Sequence, residues 1–217
     1  MRKTQFAKGE YYHIYNRGVD KRSIFEDKED TLRFLQSMKE FNCVEPNGGI
    51  FIQSLKKNKF GNSVPKLVNF IAYCLNQNHF HFILEPLIDN GVQKFMHKLA
   101  LGYTNYFNEK YARSGSLFQG RYKAIHIETN EYLLHLSVYV NLNDRVHGDL
   151  NKKWLLDLPF SSLAEYQGIR KNKFCTTDMV LAQYKSNTDY CQYANSTLRG
   201  IMERKNSLKE LEDLLIE

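Results

Sequence analysis

Residues 67–85 read LVNFIAYCLNQNHFHFILE, and their reading decides the fold. LVNFIAYC (67–74) and HFHFILE (79–85) are rich in branched and aromatic side chains and have the length of strands. The four residues between them, Leu75-Asn76-Gln77-Asn78, suit a hairpin connection. Towards the N-terminus, EYYHIYNR (10–17) is a further short strand, closed by Gly18. From Ser23 to Asn42 the residues Phe25, Leu32, Phe34, Leu35, Met38 and Phe41 recur at helical spacing, with Glu29 or Asp30 near the start, where the dipole favours an acid. IFIQSL (50–55) can add a short strand, and residues 56–66, with Lys56, Lys57, Lys59 and Pro65, read as a basic loop. Towards the C-terminus, residues 91–111 are amphipathic through Val92, Phe95, Met96, Leu99, Tyr103, Tyr106 and Phe107. RYKAIHIE (121–128) alternates as a strand does, and residues 130–143 read as a helix with Asn130 as N-cap.

The first six main elements are therefore βαββαβ, a ferredoxin-like split motif with an antiparallel sheet, in the α+β class. Residues 1–150 make one domain that ends with helix 130–143. Residues 151–217 are expected to form a C-terminal extension. In it Trp154, Leu155, Leu156, Pro159 and Phe160 pack back on the core. Its charged end, Glu203 to Glu217, is a helix with Leu208, Leu211, Leu214 and Leu215 on one face.

Composition narrows the function. Of 217 residues, 30 are Lys or Arg and 24 Asp or Glu, a net charge of +6 that favours a polyanionic partner. Fourteen Tyr and fourteen Phe fit a dense core or a surface that stacks bases. None of Cys43, Cys74, Cys175 and Cys191 forms a CxxC pair, which argues against a zinc ribbon. The start, Met1 to Phe6, has no apolar run behind its charges, and no stretch approaches the ~20 apolar residues of a membrane span. The expectation is a cytoplasmic protein with no membrane partner.

Two constellations carry chemistry. On a strand, residues two apart share a face, so His79 and His81 project together while Phe80 and Phe82 go to the other side. Such a pair can share one cation, or be two separately hydrogen-bonded histidines. In Tyr139-Val140-Asn141-Leu142-Asn143, Tyr139 and Asn143 lie one helical turn apart. A core helix with a satisfied tyrosine would account for that alone. Taken together, Asn143 can supply a hard cation with a third ligand, an amide oxygen, and Tyr139 would then hold its hydroxyl beside the ion. A cation that polarises a phosphodiester lets a phenolate attack in line, giving a phosphotyrosine and a free hydroxyl.

At these residues the sequence resembles the HUH single-tyrosine (IS200-like) transposases, in particular the REP-associated tyrosine transposase branch, over roughly residues 10–170. YHIYNRG (12–18) followed by Ile24-Phe25 is similar to the family's opening strand, and LNQNHFHFIL (75–84) to its metal-binding hairpin. Gly115 with FQGRY (118–122) resembles its glycine-arginine segment. YVNLN (139–143), with Val146 and Gly148, resembles its nucleophile helix, and LPFSSL (158–163), with Tyr166 and Gly168, its C-terminal segment. The resemblance implies that His79, His81 and Asn143 bind Mg²⁺ or Mn²⁺ and that Tyr139 is the nucleophile. It further implies cleavage of one DNA strand, a 5′-phosphate left on Tyr139, and single-stranded DNA hairpins as partners, with a monomer or a homodimer as the acting species. Asp144 stands where the family usually has Pro, which loosens the helix end. The loop at 53–66 is longer than the family's. Tyr103, Tyr106 and Tyr111 are followed four residues later by Phe107, Lys110 and Gly115, none of them a ligand, which leaves Tyr139.

Basic residues cluster at Arg2 to Arg22, at Lys56 to Lys59, at Arg121 and Lys123, and at Arg170 to Lys173. Arg17, Arg121 and Lys123, near strand ends, are the candidates for DNA contact. The alternative to a strand transferase is a catalytically silent binder of structured single-stranded DNA or RNA on the same scaffold.

Overall fold

The computed structural model describes residues 4–44, 65–147, 160–170 and 172–214, with side chains to residue 205. The expected strand 50–55, the basic cluster Lys56 to Lys59, Trp154 to Pro159 and the Leu208 to Leu215 face lie outside the described side chains.

Four antiparallel strands form one sheet: β1 (Tyr11–Arg17), β2 (Val68–Asn76), β3 (His79–Pro86) and β4 (Lys123–Ile127). Their order is β2-β3-β1-β4, the ferredoxin-like arrangement that the βαββαβ pattern requires. Helices α1 (Lys28–Glu40) and α2 (Gly91–Lys110) cover one face. Phe80, Phe82, Ile14, Phe34, Phe95 and Tyr103 are buried between these layers. The other face carries α3 (Asn130–Asn141), α4 (Asn143–His147), α5 (Leu163–Tyr166), α6 (Asp178–Leu181) and the long α7 (Asn187–Leu214). Its core joins Ile71, Ala72 and Ile83 of the sheet to Leu136, Val140, Tyr166, Val180 and Tyr190. Both faces are thus covered, and the strand alternation decides which side chains meet which layer.

Several boundaries differ from the sequence reading for local reasons. The β2–β3 connection is the two-residue turn Gln77-Asn78, because β2 runs on through Leu75 and Asn76, paired with Phe80 and His79. Helix α1 begins at Lys28, where Asp27 and Asp30 form a reciprocal capping box; Phe25 is buried ahead of it, and Leu32 faces solvent. Strand β4 is shorter than 121–128. Helix α3 is capped by Thr129, whose side chain accepts from Tyr132 N, not by Asn130. It ends at Asn141; Leu142 breaks the chain direction before α4 starts at Asn143. Helix α7 starts at Asn187, well before the expected Glu203.

Two further contacts shape the site end of the sheet. Residues 117–119 run beside the end of β1, with Gln119 N donating to Arg17 O and Val19 N to Leu117 O. Gly18 makes this crossing compact, since a Cβ there would sit 2.2 Å from the Arg22 carbonyl oxygen. On the opposite edge, Ser162 ties to β2: its N–H donates to Tyr73 O and its Oγ accepts from Tyr73 N.

Candidate active site

The face of the sheet beneath α3 and α4 brings the candidate residues together. His13, Tyr15 and Arg17 of β1 alternate onto it, beside His79 and His81 of β3 and Cys74 and Asn76 of β2. Tyr15 pairs with His81, and Asn76 with His79. The His79 and His81 rings lie 5.1 Å apart, centroid to centroid. From above, the Tyr139 ring meets His81 edge-on at 5.6 Å and His13 at 6.5 Å. Asn143, fully buried, reaches down to His79, its Oδ1 3.1 Å from Nε2.

The partners assign the His79 tautomer. Asn78 donates through Nδ2 to Lys21 O, which leaves its Oδ1 2.6 Å from His79 Nδ1. Nδ1 therefore carries the proton, and the Nε2 lone pair faces inwards beside Asn143 Oδ1. Asn76 Nδ2 donates to both, at 2.9 Å to His79 Nε2 and 2.7 Å to Asn143 Oδ1. His81 Nδ1 lies 2.9 Å from His13 Nε2. Burial lowers the His13 pKa to about 4, so His13 is neutral near pH 7 and can accept from His81.

This donor set fits a divalent cation. Two lone-pair atoms converge with only the Asn76 amide between them, and imidazole nitrogen with amide oxygen is chemistry that Mg²⁺ or Mn²⁺ accepts. Among the described residues no group of three or more His, Cys, Asp or Glu could hold a metal, so a centre here has to draw on asparagine oxygen. Burial raises the Tyr139 pKa above its ordinary value, and the neighbouring Asn143 draws it part of the way back. That contact is loose: the buried Asn143 Nδ2 has no partner of hydrogen-bonding geometry.

A cleft of about 740 Å³ opens at the histidines, lined by Tyr15, Arg17, Lys21, His79, His81 and Lys123 among others. Arg17 and Lys123 thus stand at the candidate site, Arg17 held by the Gln119 side chain. Arg121 does not. It lines a second cleft of about 760 Å³ towards α2, with Phe6, His97, Phe118 and Tyr122. Residues 119–123 separate the two clefts: Gln119 and Lys123 line the histidine cleft, and Gly120, Arg121 and Tyr122 the other. The sequence reading assigned no role to His13 or Asn76. His13 could have been found from the polar alternation Tyr11, His13, Tyr15, Arg17; Asn76 looked like a turn residue.

The rivals to Tyr139 are used elsewhere. Tyr103 Oη donates to Ile24 O, and Tyr106 and Tyr111 donate to the buried Asp30 carboxylate.

Residues 52–143 match the family model described as "Transposase IS200 like". The stretch is similar to the IS200-like transposases. It contains both histidines, Tyr139 and Asn143, so the resemblance seen in the motifs is borne out over the part of the chain that carries the site. No curated protein matches the chain. A solved REP-associated tyrosine transposase bound to a REP hairpin aligns over 77% of this chain and 85% of its own, at 14% identity and a TM-score of 0.48. That likeness is too distant to argue from. No helix among the described residues is long and apolar enough to cross a membrane.

Proposed function

We propose that this chain nicks single-stranded DNA next to a hairpin and transfers the strand, as its likeness to the IS200-like transposases suggests, with Tyr139 as covalent nucleophile. The observation that supports the reading is the convergence of His79 Nε2 and Asn143 Oδ1 at 3.1 Å, with Tyr139 four residues before Asn143 and its ring edge-on to His81. His79, His81 and Asn143 would hold Mg²⁺ or Mn²⁺. When bound, the ion supplies Lewis-acid charge for the scissile phosphate. Tyr139 loses its phenolic proton and bonds to phosphorus; the P–O3′ bond breaks, and its electron pair leaves on the 3′ oxygen, which takes up a proton. The strand downstream of the break stays on Tyr139 through its 5′ phosphate, and attack by another 3′-OH reverses the step. One ester replaces another, so no nucleotide cofactor is needed. Burial raises the Tyr139 pKa further above neutral, so the phenol needs the ion and the substrate phosphate to lose its proton. Residues 1–150 act as the catalytic domain, with 151–217 as an extension that supports α3.

The test uses labelled oligonucleotides carrying imperfect palindromes from the flanking DNA, with Mg²⁺ or Mn²⁺. Wild type should give a covalent protein–DNA adduct and a free 3′-OH strand, and Tyr139→Phe should give neither while still binding the hairpin. Equal adduct yields from the two proteins sink the assignment. Tight hairpin binding without cleavage in any metal would favour the silent binder.

A further inference from the structure

Asn76 is buried, 2% exposed, at the last position of β2, and no part of the reading above gives it a role in holding the ion. Its Nδ2, Asn143 Oδ1 and His79 Nε2 form a triangle with sides of 2.7, 2.9 and 3.1 Å. For bonds of ~2.0–2.1 Å at right angles, the edge of an octahedral shell is about 2.8–3.0 Å. The three atoms are therefore spaced as one face of such a shell, but one corner is a nitrogen that donates protons. An amide presents oxygen at the same corner after a half-turn about its last side-chain torsion.

We infer that Asn76 is a protein ligand of the divalent cation, its amide turning over so that Oδ1 joins His79 and Asn143 when the ion binds. The inference rests on the metal reading above and extends its ligand set. The two acceptors hold Nδ2 inward until an ion takes its place, and the other side of the amide offers little resistance to the turn. The present contact of Asn76 Oδ1 is the Cys74 thiol at 3.9 Å, a weak donor. After the turn Nδ2 faces that sulfur, and the oxygen gains the ion. Before the turn the same amide holds the His79 and Asn143 atoms together, so a single side chain would both position two ligands and supply a third. Asn143 already keeps its oxygen inward while its nitrogen is buried without a partner of hydrogen-bonding geometry, the orientation a ligand requires.

The test is Mn²⁺ binding to the full metal-stripped chain, followed by the paramagnetic resonance signal of free Mn²⁺, with far-UV circular dichroism to verify folding. Loss of one ligand should weaken binding roughly tenfold or more in Asn76→Ala. Asn76→Asp, with oxygen at both positions and a charge, should bind more tightly than wild type. A plain hydrogen-bonding strut predicts the reverse for Asn76→Asp, since a carboxylate would face two acceptors. Wild-type affinity in Asn76→Ala, or weakened binding in Asn76→Asp, overturns the inference and leaves the metal site standing. No Mn²⁺ binding by wild type overturns both. Should the variants fail to fold, wild type labelled with ¹³Cγ-asparagine decides by electron-nuclear double resonance. Two strongly coupled carbonyl carbons support the inference, and one alone overturns it.

Discussion

At the residue scale, the histidine pair is only as good a ligand set as the groups that hold its rings. His79 is fixed by Asn78 behind it, and His81 by His13. A neutral His13 can accept a hydrogen bond from His81 Nδ1–H, and burial, which pulls the His13 pKa to about 4, keeps it neutral through the range of ordinary assays. Loss of such an outer partner typically costs ~10–100-fold in metal affinity or activity. His13→Ala should therefore weaken Mn²⁺ binding and nicking together, and His13→Gln, which keeps an acceptor, should recover part of both. A His13→Ala protein with wild-type Mn²⁺ affinity would mean that His81 needs no such support. Part of this site could be read in the sequence: period-two spacing puts His79 and His81 on one strand face, and Asn143 follows Tyr139 closely in the chain although the helix ends between them. His13 and Asn76 could not be placed that way. Their positions depend on which strands pair, and Asn76 also on a hairpin two residues tighter than its composition implied.

At the element scale, two polar clusters hold the layers around the site. Lys110, near the end of α2, lies 2.8 Å from Asp27, 2.9 Å from Asp30 and 3.1 Å from Glu29 at the start of α1. Asp30 is wholly buried, so removing Lys110 leaves a carboxylate short of its cation, whereas Glu29 is exposed and adds little. Lys110→Met should cost about 2–4 kcal/mol in denaturant unfolding at pH 7. The pH dependence has a definite sign. Burial works to raise the Asp27 pKa, but the Lys110 hydrogen bond, the Asp30 N–H and the Lys110 charge outweigh it, and the folded pKa is lowered. That contribution is present above the unfolded pKa of about 3.9 and is lost as pH falls through the lower folded value. Lys110→Met should therefore lose less stability than wild type between neutral pH and pH 2. A second cluster steadies α3: Ser162 Oγ donates to Asn141 Oδ1 at 2.5 Å, and Asn141 Nδ2 donates to Tyr190 Oη at 2.9 Å. Ser162→Ala strands the Asn141 oxygen and should cost about 1–3 kcal/mol by the same measurement. The helical periods of α1, α2 and α3 were readable, but their ends were not, since caps such as Asp27 and Thr129 compete with equally suitable neighbours and tertiary packing chooses.

At the scale of the whole molecule, the net charge of +6 matters only through where it lies. Arg17, Lys21 and Lys123 line the histidine cleft, whereas Arg121 lines the cleft on the other side of residues 119–123. A single strand seated at His79 and His81 would place its phosphates against the first three. If the strand continues over residues 119–123, it then meets Arg121, with the half-buried Tyr122 beside it as a surface for stacking. The sequence grouped Arg121 with Lys123 because they are two apart, but the loop geometry turns them to opposite sides. The difference can be measured as salt dependence, because each phosphate neutralised on a single strand adds ~0.7 to the slope of log K against log salt. Arg17→Ala and Lys123→Ala should each lower that slope by about 0.7 on any cleavable hairpin substrate. Arg121→Ala should leave it unchanged on a substrate whose single-stranded arm stops at the scissile phosphate, and lower it by a similar amount once the arm is several nucleotides longer. Equal slopes for Arg121→Ala and wild type on both arm lengths would confine the DNA to the histidine cleft. A lowered slope on the short arm would mean that the strand enters from the α2 side.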